Sequence, residues 1–187
     1  ASFSLQEGEK VGVIGANGKG KSTLLRIIAG IEEPDEGSVI TGNHVKIGYL
    51  PQTPFFAEEE TVLSAALRDV IENPEDFEKE SEAKSLLGRM DFTGFEQPLE
   101  ELSGGQRKRV ALVHVLLQPV DILVLDEPTN HLDSAMSGWL EEYLIRFRRT
   151  LVMVTHDRYF LDRVSTRIVE VDRGCVCSYP GSYSKYV

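Results

Sequence analysis

Three stretches hold residue types whose spacing can do phosphate chemistry. The first is Gly15-Ala16-Asn17-Gly18-Lys19-Gly20-Lys21-Ser22, a match to G-x-x-x-x-G-K-[ST]. Its glycines let the backbone curl so that several N–H groups converge on one anion, and the helix expected from Lys21 adds its positive end. Lys21 is expected to reach the outer phosphates, Ser22 to ligate Mg²⁺ and Thr23 to donate to an inner phosphate. Lys19, a second basic residue in the loop, is read as pointing to solvent.

The second is Ile122-Leu123-Val124-Leu125-Asp126-Glu127, an apolar run that ends in two carboxylates. Ligand sites in open α/β sheets gather where strands end. Phosphoryl transfer asks for positioning and charge neutralisation, so one acid for the metal and one for water suffice. Asp126 is given the metal and Glu127 the attacking water. The third is Leu102-Ser103-Gly104-Gly105-Gln106, which lies between the other two. Gln52 and His156 complete the set. A neutral amide at Gln52 suits both Mg²⁺ and the lytic water, and His156 suits a γ-phosphate. Taken alone, however, the first reads as a surface glutamine and the second as a structural histidine, as do His44, His114 and His131.

The elements that must position these groups follow from pattern. Val11–Ile14 is predicted as a strand and Lys21–Ala29 as a helix stopped by Gly30. Ser38–Thr41 and Val45–Leu50 are predicted as strands about a Gly42-Asn43 hairpin turn. Thr61–Glu72 and Phe77–Arg89 read as helices broken at Asn73-Pro74. Gly104–Leu117 and Ser134–Arg148 read as helices, Asp121–Leu125 and Leu151–Thr155 as buried parallel strands. The alternation implies an α/β core with a parallel sheet.

The 187 residues suit one domain, with 41% hydrophobic and 27% charged residues. No apolar run approaches the ~18 residues of a membrane helix. The first residues carry no signal pattern, and the near-immediate entry into Val11–Ile14 is expected of a chain cut at its N-terminus. A net charge of −10 argues against a broad basic field for nucleic acid. The acids Glu58 to Glu60, Glu75, Asp76, Glu78, Glu80 and Glu82 read as a solvated helical face. Cys175 and Cys177, one residue apart, suit reduced thiols better than a disulfide.

Together these motifs resemble the nucleotide-binding domain of the ATP-binding-cassette (ABC) superfamily, over essentially the whole chain. The resemblance implies an α/β P-loop NTPase core with a mainly parallel sheet, an ABC-type helical subdomain at 53–101 and a small antiparallel β portion. It makes Gly15, Asn17, Gly18, Gly20, Lys21, Ser22 and Thr23 the Walker A contacts to ATP. It makes Gln52 the Q-loop residue, Asp126 the Walker B acid and His156 the switch histidine, with Ser22, Gln52 and Asp126 about Mg²⁺. Ser103, Gly104, Gly105 and Gln106 match the signature. In that superfamily two domains pack head to tail, so Ser103 and Gly105 would meet the γ-phosphate of ATP held by a second ABC domain, in tandem or in a homodimer.

Pro128-Thr129-Asn130-His131-Leu132-Asp133, His156–Asp162 and the tail Tyr179–Tyr186 look like the ABC-F subfamily, of the Uup-like type. That resemblance implies the first of two tandem domains, with 179–187 starting the linker. It implies a cytoplasmic ATPase that meets the ribosome and its RNA through the parent protein and makes no direct membrane contact; some members are linked to DNA handling. A transporter motor domain and a fragment that binds without turnover are the alternatives. Three departures stand out: the family's adenine-stacking aromatic lies upstream of this chain, the stretch from Gln52 to Leu102 is short for a first ABC-F domain, and Ala111–Val115 lacks the usual alanine and arginine pattern.

Overall fold

A computed structural model describes residues 4–16, 20–57, 59–70 and 76–187. In chain order the elements are β1 (Lys10–Ile14), α1 (Lys21–Ile28), β2 (Ile47–Leu50), α2 (Val62–Leu67), α3 (Phe77–Arg89), α4 (Gly104–Leu117), β3 (Ile122–Asp126), α5 (Ser134–Arg146), β4 (Thr150–Val154), α6 (Arg158–Val164), β5 (Arg167–Asp172), β6 (Cys175–Pro180) and α7 (Tyr183–Tyr186). They form two units: residues 1–52, 120–129 and 140–187 make the first, residues 53–119 and 130–139 the second.

The first unit is built on a six-stranded sheet of order β2-β3-β4-β1-β5-β6. Every pairing is parallel except β5 with β6. Parallel strands buried on both faces read as continuous apolar runs, which is why Ile122–Leu125 and Leu151–Val154 were legible. Val11, Val13, Val124, Val152, Val154 and Val169 pack in one core with Leu25 of α1. β-branched residues suit this pleated, two-sided burial.

The order puts β4 between β1 and β3. The loop after β1, the acids after β3 and His156 after β4 therefore leave the sheet side by side, at one end of parallel strands. Gln52 follows β2, next to β3.

The second unit is helical. α2 begins in a reciprocal cap: Thr61 Oγ1 accepts from Ser64 N, and Thr61 N donates to Ser64 Oγ. α3 is capped by Asp76, which accepts from Lys79 N. Ala65, Ala83, Leu87, Met90, Val110 and Val113 supply buried apolar surface.

The hairpin predicted at Ser38–Thr41 and Val45–Leu50 does not form among the described residues. β2 begins at Ile47 and pairs in parallel with β3. Its entry is fixed by Asp121, whose carboxylate accepts from Lys46 N at 2.9 Å and whose N–H donates to Lys46 O at 2.8 Å. Val39 and Ile40 stay exposed. An alternating pattern says that a strand wants a partner, not which partner it takes. α2 ends at Leu67, where Arg68 leaves the helical region, short of the predicted Glu72. Asn73-Pro74 lies outside the described residues. Phe77–Arg89 and Gly104–Leu117 match their predicted bounds, and α5 ends two residues early, at Arg146. Cys175 and Cys177 are free and exposed on β6.

Candidate active site

The phosphate loop leaves β1 through Gly15, at φ 156°. A Cβ there would collide with the Val171 carbonyl oxygen, so only glycine fits. Gly20, at φ 91°, is the N-cap of α1. Asn17, Gly18 and Lys19 lie outside the described residues. Lys21 is buried, and its Nζ donates to Gly15 O at 2.7 Å. The ammonium thus ties the start of α1 to the residue that follows β1. Thr23 Oγ1 accepts from Arg26 at 3.1 Å, which leaves the hydroxyl hydrogen to donate elsewhere.

Asp126 ends β3, and only 1% of it is exposed. Glu127 follows in the left-handed region at φ 52°, with its N–H on Val154 O at 2.7 Å. A non-glycine residue in that region is strained, and such strain collects at functional sites. The turn aims the Glu127 side chain at the end of β4. There His156 Nε2 is 3.1 Å from Glu127 Oε1, and His156 N donates to Oε2 at 3.3 Å. Burial pushes the Glu127 carboxyl above its ordinary value, and Asp126 adds to this. The His156 ring, its N–H and Lys21 pull the other way.

Gly20, Lys21, Ser22, Thr23, Gln52, Asp126, Glu127, Val154 and His156 line one cavity of about 500 Å³. Four segments distant in sequence thus converge within the first unit. A larger cleft of about 940 Å³ in that unit shares no lining residue with it. We assign the chemistry to the smaller, because it alone holds the carboxylates and the loop lysine.

The donors for a metal are the Ser22 hydroxyl, the Gln52 amide and the Asp126 carboxylate, all hard oxygens suited to Mg²⁺. Among the described residues no cluster of three His, Cys, Asp or Glu could cage an ion. A single carboxylate with neutral oxygens fits an ion that shares its shell with water and phosphate.

Two neighbouring features, a hydroxyl pair and a tyrosine, were missed by sequence reasoning. Thr129 and Thr155 join their hydroxyls at 2.9 Å and tie the loop after Glu127 to the end of β4. Tyr49, paired with Val124, has its hydroxyl pKa raised by burial and by the Asp126 charge, with Arg26 opposing. No spacing rule flags either; both became relevant only when strands met.

The signature residues belong to the second unit, while the cavity is lined by first-unit residues alone. Ser103 is the N-cap of α4: its Oγ accepts from Gln106 N at 3.2 Å, and its N donates to Gln106 Oε1 at 2.9 Å. Gln106 thus caps the helix through its side-chain oxygen and its backbone N–H. The Ser103 hydroxyl hydrogen is left to donate elsewhere.

Comparison with known proteins decides the family. The pattern of the ABC transporter family matches residues 1–130. The chain belongs to the ABC transporter family. Within it, this ATP-binding cassette is 40% identical over 190 residues to ABC transporter F family member 5 of Arabidopsis thaliana, covering all of this chain and 27% of that protein. It is 40% identical over 223 residues to the energy-dependent translational throttle protein EttA of Escherichia coli K12, covering all of this chain and 40% of that one. With YfmR of Bacillus subtilis, an uncharacterized ABC transporter ATP-binding protein, identity is 37% over 222 residues, covering all of this chain and 35% of YfmR. The relatives agree with the ABC-F reading of Asn130-His131. The chain spans less than half the length of each.

Among solved cassettes, the dimeric MJ0796 bound to ADP and Pi superposes with a TM-score of 0.79 at 25% identity, covering 95% of this chain and 88% of that one. A chain in the complex of archaeal stalk protein aP1 with ribosome recycling factor aABCE1 gives 0.76 at 30% identity, with 95% and 35% covered. The fold is thus the α/β ABC cassette, mostly parallel with a small antiparallel part. No described helix is long and apolar enough to cross a membrane.

Proposed function

We propose that this cassette binds Mg·ATP and hydrolyses it together with a second ABC domain, within a cytoplasmic ABC-F protein that works on the ribosome. The observation that carries the reading is the convergence of Lys21, Ser22, Gln52, Asp126, Glu127 and His156 on one cavity. Lys21 and the α1 N-terminus take the β- and γ-phosphates. Ser22, Gln52 and Asp126 would hold Mg²⁺, which neutralises charge on the phosphates. Glu127 accepts the proton of the attacking water at its carboxylate, kept basic enough by burial. His156, mostly exposed, reaches the γ-phosphate once it leaves Glu127. Ser103 and Gly105 serve the ATP of the partner domain. In support of this, MJ0796 was solved as a dimer with ADP and Pi.

Residues 1–187 form one ABC domain, with 53–101 as the helical subdomain or short arm and 179–187 as the start of a linker to a second cassette. The alignments to EttA and YfmR are longer than this chain, so both carry insertions relative to it. The translational role rests on the name and similarity of EttA and on the ABC-F relative.

The deciding experiment uses Glu127→Gln in the whole protein. ATP binding should persist, turnover should fall at least about a hundredfold, and a closed, ATP-loaded state should accumulate. Unchanged turnover rejects Glu127 as the base. Co-sedimentation with ribosomes supports the translational role. Co-purification with a membrane subunit from detergent extract instead supports a transporter motor.

A further inference from the structure

We propose that His131 is a positioning residue for the signature helix, and that Gly105 is glycine because His131 lies against it. The proposal rests on the function proposed above and adds to it a residue that touches neither nucleotide nor metal.

The two signature glycines occupy different surroundings. A Cβ on Gly104 would meet nothing within 4 Å. A Cβ on Gly105 would stand 3.0 Å from His131 Cγ and Nδ1 and 3.1 Å from His131 Cβ. Gly105 sits within α4, with no positive φ to demand glycine. Glycine is a poor helix former. The ring explains its presence at Gly105, and no neighbour explains it at Gly104.

His131 is itself held in place. Its φ is 65°, a conformation that costs a non-glycine residue energy and persists only when neighbours impose it. Two residues on, Asp133 Oδ1 accepts from Met136 N at 2.8 Å and Asp133 O from Ser137 N at 2.9 Å, fixing the loop to the start of α5. The ring thus stands as a stop against the first turn of α4. That turn carries the Ser103 hydroxyl and the N–H groups given to the partner's ATP. The loop that holds His131 begins at Glu127, also left-handed. One short loop therefore carries both the base and the stop that places the signature.

The test is a double-mutant cycle in the whole protein, with turnover, ATP affinity and melting temperature measured for each variant. Gly105→Ala should lower kcat roughly tenfold and lower the melting temperature, with ATP affinity at the phosphate loop retained. His131→Gly relieves the strained φ and removes the ring; it should lower kcat while the melting temperature holds, a split that a merely structural residue would not give. Adding His131→Gly to Gly105→Ala should return kcat and melting temperature to the values of His131→Gly alone. Gly104→Ala should gain nothing from His131→Gly. The proposal is overturned if the Gly105→Ala defect is the same with and without His131→Gly, or if Gly105→Ala has no effect. Should the unaltered protein show no turnover, the proposed function fails, and recovery or non-recovery of the melting temperature still decides for or against the His131–Gly105 contact.

Discussion

Glu127 and His156 are bonded twice. The imidazole Nε2 stands 3.1 Å from one carboxylate oxygen, and the His156 backbone N–H donates to the other at 3.3 Å. The carboxylate proposed as the base is thus held by the residue proposed to meet the γ-phosphate. On the proposed function, ATP that draws the ring away would free one oxygen for water, while the backbone bond would keep the carboxylate aimed.

The pH dependence of turnover follows from this pair. Burial raises the Glu127 carboxyl pKa, and a base must be deprotonated to act. Activity should therefore fall as pH drops, with an acid limb above the ordinary glutamate value of about 4.3. His156 pulls that pKa down, so His156→Ala should move the limb to higher pH as well as slow turnover. A kcat/KM profile for both proteins checks the sign. A limb that moves to lower pH in the variant rejects the electrostatic reading.

Lys21 donates to Gly15 O, and the proposed function adds a second task, meeting phosphate. Lys21→Ala should weaken ATP binding by at least about tenfold, the effect of losing one charge-assisted bond of 1.5 kcal/mol or more. Titration with a fluorescent ATP analogue measures it. Affinity within twofold of the unaltered protein would mean that the backbone alone holds the nucleotide.

Ser103 and Gln106 form a reciprocal cap on α4. Ser103→Ala should cost about 1 kcal/mol of stability and, on the proposed function, also reduce turnover, because one hydroxyl would then serve both helix and partner nucleotide. Gln106→Ala should cost similar stability with a smaller effect on turnover. Urea unfolding and steady-state rates separate the two; equal losses of turnover would give Gln106 a role at the nucleotide after all.

His114 donates from Nδ1 to Ala66 O at 3.2 Å and accepts at Nε2 from the Gln118 amide at 2.8 Å. Burial lowers its pKa from the ordinary 6.5, with the Arg68 charge adding to this. Below 6.5 the unfolded chain takes a proton that the folded one refuses. The second unit should therefore lose stability as pH falls below 6.5, levelling once the folded histidine also protonates. His114→Gln should flatten that dependence in a melting series between pH 7.5 and 5.

Much of the first unit was legible because its signals are local. β1, α1 and β3, and in the second unit α4, announce themselves by continuous apolar runs, a glycine stop and an N-cap serine, all readable from neighbours in the chain. The absent hairpin shows the limit. Whether Val45–Leu50 turns back on 38–41 or joins β3 depends on Asp121, some seventy-five residues away, which takes Lys46 at both its N–H and its carbonyl. α6, β5 and β6 were unread because short, mixed segments gain their order from the strand they join.

The sequence by itself determined the chemistry on offer: a loop that only glycines can curl, a lysine and a serine to follow it, an acid pair at a strand end, and a capped signature helix. These depend on residue type and short spacing. The tertiary structure decided which groups act on one another. Strand order set β4 between β1 and β3, and so brought His156 to Glu127 and Thr155 to Thr129. The approach of His131 gave Gly105 its reason, where Gly104 has only open space. Those contacts join residues far apart in the chain, and loop closure and packing, not local preference, fix which of the possible partners meet.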